Sequence, residues 1–166
     1  EADHVLVVAR TEEARTGKVK PVLMVVPTDA VGFEANPIPM EIVKAFAIMQ
    51  PIKASPYTTH AQFSDPDTIL ALPAPPDDLA VVRTMYHYAR AVAYAGKRDD
   101  AGAHNEIAAI AALETSTDFK PFAEWGLPAK EIMQLARHVA AARLADAQGD
   151  LAKAAAEYDE AIFVED

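Results

Sequence analysis

The sequence contains no cysteine, which excludes disulfide scaffolds, thiolate metal sites and cysteine nucleophiles. Its longest apolar runs, such as Val22–Val26, are far shorter than the roughly 20 residues that cross a membrane. Basic side chains number 15 against 25 acidic ones, so the net charge is −10. No basic run offers a surface for a polyanion. We therefore expect neither a nucleic acid nor a membrane as partner.

The motifs that usually mark catalytic and cofactor sites are also missing. There is no glycine-rich dinucleotide or phosphate loop, no G-x-S-x-G motif and no H-E-x-x-H motif. No two histidines are spaced i, i+4, as paired ligands on one helix would be. We predict no enzyme, metal site or cofactor. The alternative is a metal-binding or enzymatic protein that assembles scattered histidines on a helical scaffold: His4, His60, His87, His104 and His138.

Proline and alanine are plentiful, but in different halves of the chain. The 166 residues are 51 % hydrophobic and 24 % charged, which is ordinary usage for one globular domain. Ten of the twelve prolines lie at or before Pro76, and alanine dominates the second half. The chain starts at Glu1 without an initiator methionine and ends at Asp166 after an apolar helical pattern. We expect a fragment of a longer chain.

The second half is predicted to form two helical hairpins. From Asp77 to Gly96, apolar residues recur with the 3.6-residue period of a helix. Asp77 or Asp78 can cap its start, and Gly96 is expected to be the left-handed residue that ends it. Three further helices are predicted over residues 99–113, 127–148 and 151–163, with Gly149 between the last two.

The first half supports two interpretations. The β-branched runs Val5–Val8 and Val22–Val26 suit the strands of a hairpin. The alanine, glutamate and arginine residues between them, and the lack of a tight-turn signal, favour helices instead. We predict two helices, over Glu1–Ala14 and Val19–Val26, joined at Gly17. Helices are also predicted over residues 40–49 and 68–72, with Pro51 and Pro56 breaking or kinking the chain between them.

The two hairpins of the second half repeat one another, offset by 53 in residue number. Gly96 and Gly149 anchor the comparison, and Ala89 and Ala142 precede them by seven positions. Small residues here let two antiparallel helices approach closely. The predicted structural positions are Ala89, Gly96, Ala101 and Ala108 in the first hairpin, and Ala142, Gly149, Ala154, Tyr158 and Ala161 in the second.

This pattern resembles the tetratricopeptide repeat (TPR), a helical hairpin of about 34 residues. Ala101-x3-Asn105 and Ala154-x3-Tyr158 match the A-x3-F spacing of its second helix. The phrase Ile69–Pro76, followed by Tyr86–Arg90, is similar to a family of large uncharacterised bacterial TPR proteins. The resemblance implies an all-α, right-handed α-solenoid of antiparallel helical hairpins. It implies one TPR-like domain over residues 1–166, in approximate units 1–36, 40–76, 77–115 and 128–166.

An insertion separates the two clear hairpins. It holds Glu114–Leu127, including Phe119, Phe122 and Trp125, and is too long for a simple turn. We predict that it folds back so that Trp125 caps an apolar gap between the hairpins. The alternative is an exposed aromatic site for a partner.

The resemblance also implies a function, because TPR arrays bind peptides on the groove formed by their first helices. It predicts a non-catalytic interaction module with an unknown protein or acidic peptide as partner. Arg90 and Arg143 each precede a closing glycine by six positions, so two guanidinium groups could hold a carboxylate. The alternative is that both pair with acids on neighbouring helices. A third alternative is self-association through exposed repeat ends. The candidate groove residues are Arg83, Tyr86, His87, Arg90, Tyr94 and Arg143.

Overall fold

The structure is a computed structural model that describes residues 4–12, 19–27 and 40–165. The chain divides into two compact units, 1–37 and 38–166. The first contains β1 (His4–Glu12) and β2 (Val19–Pro27). The second contains α1 (Met40–Ala45), a 3-10 turn (Ala47–Met49), α2 (Gln50–Phe63), α3 (Pro66–Leu70), α4 (Ala80–Gly96), α5 (Asp100–Ser116), α6 (Lys120–Ala123), α7 (Ala129–Gln148) and α8 (Leu151–Glu165).

The helical prediction for the first unit is wrong. β1 and β2 pair antiparallel in a register that runs from His4 opposite Pro27 to Glu12 opposite Val19. The valine runs decide the outcome, because β-branched side chains lose rotamer freedom in a helix and pack well on a sheet. The turn predicted at Gly17 lies outside the described residues. All-α is therefore correct for residues 40–165 but not for the N-terminal hairpin.

The two prolines of α2 are accommodated without ending the helix. Pro51 occupies the first turn, where its missing N–H is not needed. Pro56 lies inside the helix and cannot donate to the carbonyl of Ile52. The Ser55 hydroxyl donates to that oxygen instead, at 2.7 Å. The predicted break is thus repaired by a neighbouring side chain.

The left-handed residue that closes the first hairpin is Arg98, with φ of 58°. Gly96, predicted for this role, is the last residue of α4. In the second hairpin Gly149 is left-handed as predicted, with φ of 81°. Asp99 and Asp150 follow them and cap α5 and α8, accepting from the N–H groups of Gly102 at 2.9 Å and Lys153 at 3.0 Å. The two closures are therefore offset by 51 in residue number rather than by 53.

This shift of two positions changes which residues are buried. Ala89, Ala142, Ala154 and Ala161 are buried as predicted. Ala103 and Ile110 take the buried positions on α5. The predicted structural positions that are exposed instead are Ala101, Ala108 and Tyr158. Two residues turn a helix by about 200°, so an alignment on the glycines selects the wrong face of α5.

Each hairpin packs its first helix on the helices before it. α4 contacts both α2 and α3, and α7 contacts both α4 and α5. Ala93 of α4 packs with Ile69 of α3, and Leu144 of α7 packs with Ala103 of α5. Ala93 and Leu144 are again offset by 51 in residue number. No described helix is both long and apolar enough to cross a membrane.

Within the insertion, Phe122 rather than Trp125 is buried. Phe122, on α6, packs with Val81, Ala129 and Met133. Trp125 is 49 % exposed and meets the edge of the Phe46 ring, with centroids 5.5 Å apart. Phe122 already fills the gap that Trp125 was predicted to cap.

Gly149, which closes the second hairpin, and Gly96, which ends α4, should respond oppositely to alanine. Gly149→Ala places a side chain at φ of 81°, which we expect to cost about 1–2 kcal/mol. Gly96→Ala adds a methyl group in a helix, with its nearest neighbour Pro66 Cγ at 3.5 Å, and should stabilise by roughly 0.5–1 kcal/mol. Urea denaturation midpoints measure both. Destabilisation by Gly96→Ala of the same size would mean that Gly96 closes the hairpin after all.

Candidate functional site

A partly buried ion-pair cluster links the two helices of the first hairpin. His87 Nδ1 on α4 lies 2.6 Å from Glu106 Oε2 on α5, and Arg90 Nε donates to Glu106 Oε1 at 2.7 Å. Less than a fifth of each of these three side chains is exposed. His87 and Arg90, both predicted to line an open groove, instead hold α4 and α5 together.

Two further N–H groups of Arg90 are also used inside the protein. Its terminal nitrogens donate to the Leu70 carbonyl at 3.2 Å and to the Tyr94 hydroxyl at 3.0 Å. The guanidinium carbon lies 5.3 Å and 5.4 Å from the ring centroids of Tyr86 and Tyr94, within cation–π range. Tyr94 itself lies against Gly102, where a Cβ would approach its ring within 2.6 Å. Arg90 is therefore not available to an external carboxylate.

These contacts set the ionisation of Glu106. Burial alone would raise the pKa of its carboxyl, but hydrogen bonds from His87 and Arg90 and the charge of Arg90 outweigh it and lower the pKa below its ordinary value. The folded protein therefore favours the carboxylate.

The second hairpin carries the same connection. His138 Nδ1 on α7 lies 2.9 Å from Glu157 Oε2 on α8. Both members of this pair follow His87 and Glu106 by 51 in residue number. Arg137 Nε also donates to Glu114 Oε1 on α5 at 2.7 Å, which connects the second hairpin to the first. The matching His-x18-Glu spacing is visible in the sequence, but alignment on the glycines conceals it.

An apolar groove lies between the first helices of the two hairpins. We call it the α4–α7 groove; it is a cleft of about 170 Å³ open to solvent. Its lining residues recur every three or four positions along each helix: Met85 and Tyr88 on α4, and Ile132, Leu135, Ala136 and Val139 on α7. Tyr88 is absent from the predicted groove set, but it is detectable in the sequence as a member of this stripe.

Arg143 continues the α7 side of the groove. It is exposed and lies one helical turn after Val139. Burial raises the pKa of the Tyr88 hydroxyl, and the nearby charge of Arg143 lowers it in part. Among the described side chains of residues 40–164, no acidic group forms a salt bridge with Arg143. Of the two predicted arginines, only this one borders an open groove.

The other predicted groove residues lie elsewhere. Arg83 pairs with Asp77 at 3.3 Å and lines a separate polar cleft of about 370 Å³ with Lys44 and Gln50. Tyr86 packs edge-on against Tyr57, with ring centroids 5.6 Å apart. The same shift of two positions explains the separation of the two arginines, since the position equivalent to Arg143 on α4 is Val92 and not Arg90.

The histidines do not converge within the described residues. Residues 40–165 contain no group of three side chains arranged to hold a metal ion. His60 Nδ1 lies 2.8 Å from the Ser64 hydroxyl, and His104 is exposed. The side chain of His4 lies outside the described part of the chain. His60, His87 and His138 thus each contact a different partner.

Comparisons with known proteins find one short similarity. No family model matches the chain, and no solved structure matches it. A stretch of 43 residues is 63 % identical to acyl-CoA dehydrogenase FadE12 of Mycobacterium tuberculosis and of Mycobacterium bovis. This stretch is 26 % of the present chain and 11 % of each dehydrogenase. The chain thus matches about a tenth of the length of these relatives.

The ion-pair cluster predicts a pH-dependent stability. Because the folded-state pKa of Glu106 is lowered, its contribution is present above the ordinary carboxyl pKa and is lost as pH falls through the folded value. Glu106→Gln should cost about 1.5–3 kcal/mol at pH 7, and the difference from wild type should shrink from about pH 5 to pH 3. Denaturation midpoints of the wild type and the variant across this pH range measure the difference in stability. A difference that stays constant with pH would show that the carboxylate charge is not responsible.

Proposed function

We propose that residues 40–165 form a TPR-like solenoid segment that binds a protein or peptide without catalysis. Two features support this proposal. The first helix of each hairpin packs on the helices before it, α4 on α2 and α3, and α7 on α4 and α5. The left-handed residues that close the hairpins and the His–Glu pairs both recur with an offset of 51 in residue number. Stacked hairpins of this kind use extended surfaces for binding.

The α4–α7 groove is the binding surface that this architecture favours. Its walls are apolar, from Met85 on one side to Leu135 on the other. His87, Arg90 and His138 each contact a glutamate within their own hairpin, and none of them lines this groove. The single observation that carries the proposal is an open apolar groove continued by an exposed arginine.

The groove determines the kind of ligand. An apolar side chain of the partner would fill the cleft beside Tyr88 and Leu135 and remove its walls from water. A carboxylate about one turn away would reach Arg143, which can donate two parallel hydrogen bonds. The partner is therefore a segment with one large apolar residue and a nearby acidic residue or C-terminus.

A peptide-display selection on the immobilised protein tests this function. Selected peptides should share an apolar residue next to an acidic one. Arg143→Ala should weaken their binding about tenfold, equivalent to about 1.4 kcal/mol, and Val139→Asp should abolish it. The matched control is Lys130→Ala, an exposed cation on the opposite side of α7, which should leave affinity unchanged.

Two results would contradict the proposal. Selection could enrich no sequence above background. Alternatively, enriched peptides could bind Arg143→Ala, Val139→Asp and wild type equally, which would place their site outside the groove.

A further inference from the structure

α7 packs on one face of α5 in the first hairpin, and we call such a packing face a seat. Asp100 accepts a hydrogen bond from Gln148 at 2.7 Å, and Glu114 pairs with Arg137 at 2.7 Å. Between them, Ala103 and Ile107 pack against Leu144. The seat on α5 is thus one face of this helix, and α7, the first helix of the second hairpin, packs along its whole length.

The equivalent face of α8 has no helix on it among the described residues. Leu151, Ala154 and Tyr158 follow Asp100, Ala103 and Ile107 by 51 in residue number. Ala154 is buried, but Leu151 is 68 % exposed, Tyr158 is 39 % exposed, and Ile162, one turn beyond Tyr158, is 59 % exposed. Leu151 and Tyr158 are seven positions apart, and Tyr158 and Ile162 are four apart, so these large apolar side chains lie on one side of α8. We call this face the α8 seat.

The other end of the helical unit presents a matching helix. α2 precedes α4 in the series of packed helices, and its Ala54 side packs toward α4. On its other side, Ile52 and Phe63 are 54 % and 80 % exposed. They are separated by about three helical turns and therefore share a face.

The charges of the two helices are complementary. α2 contains Lys53 and His60 and no acidic residue. On α8, the exposed Asp159 flanks the seat, next to Tyr158, whereas the exposed Lys153 and Glu160 lie on the opposite side of the helix. In a chain of net charge −10, a helix without acidic residues is repelled less by α8 than an acidic surface would be, and opposite charges across an interface favour encounter.

We propose that a second copy of this chain places its α2 face on the α8 seat, continuing the packing that α4 and α7 already use. The two surfaces are different patches, so the contact is head-to-tail and does not close at a dimer. This interface is distinct from the α4–α7 groove and does not depend on the ligand proposed there.

The test uses two complementary variants of the full chain in sedimentation velocity. The wild type should show a mass that increases with concentration beyond a dimer. Ile162→Glu disables the seat and Ile52→Glu disables the α2 face, so each alone should be monomeric. An equimolar mixture should form a dimer and nothing larger, because one intact α2 face then meets one intact seat.

The control is Phe163→Glu, the same type of change on α8 at an exposed position beside the seat, which should associate like wild type. Circular dichroism and thermal midpoints establish that every variant is folded. If the wild type stays monomeric at protein concentrations up to about 1 mM, the proposal is overturned. Association that is lost in Ile162→Glu but kept in Ile52→Glu would also overturn it, because it would indicate an α8–α8 contact. An equimolar mixture that stays monomeric would overturn it as well.

Discussion

The His–Glu pair within each hairpin is the interaction on which the rest of the helical unit depends. His87 with Glu106, and His138 with Glu157, join the first and second helices of successive hairpins at equivalent positions. Each pair fixes how far one helix is displaced along the other. This displacement decides which side chains enter the core and which remain at the surface.

Glu106 also engages one of the two arginines that were predicted to meet a ligand, Arg90. A ligand carboxylate could recruit Arg90 only by displacing Glu106, whose side chain is 12 % exposed. Glu106 would then keep only its contact with His87, and the charged hydrogen bond that it loses, about 1.5–3 kcal/mol, offsets the one that the ligand gains. Arg143 is exposed beside the groove and does not meet that obstacle. The proposed binding therefore uses the groove side of α7.

Helix periodicity in the sequence is sufficient to predict α4, α5, α7 and α8 within a few residues. The register between hairpins is not predictable from glycine alone. Glycine is the residue that most readily adopts the left-handed conformation. In the first hairpin, however, Arg98 adopts it, directly before Asp99 caps the next helix. At the N-terminal strands local helix propensity misleads, because the valine runs outweigh it. The α4 side of the groove escapes prediction because Met85 and Tyr88 lie two positions from the residues that alignment on the glycines selects.

Double-mutant cycles on the two His–Glu pairs test most directly whether the hairpins repeat in the register that these pairs define. The variants are His87→Gln with Glu106→Gln, His138→Gln with Glu157→Gln, and the cross pair His87→Gln with Glu157→Gln, measured as free energies of unfolding. We expect a coupling of about 0.5–3 kcal/mol within each pair and additivity within about 0.5 kcal/mol across pairs. Coupling absent from either within-hairpin pair would contradict the repeat.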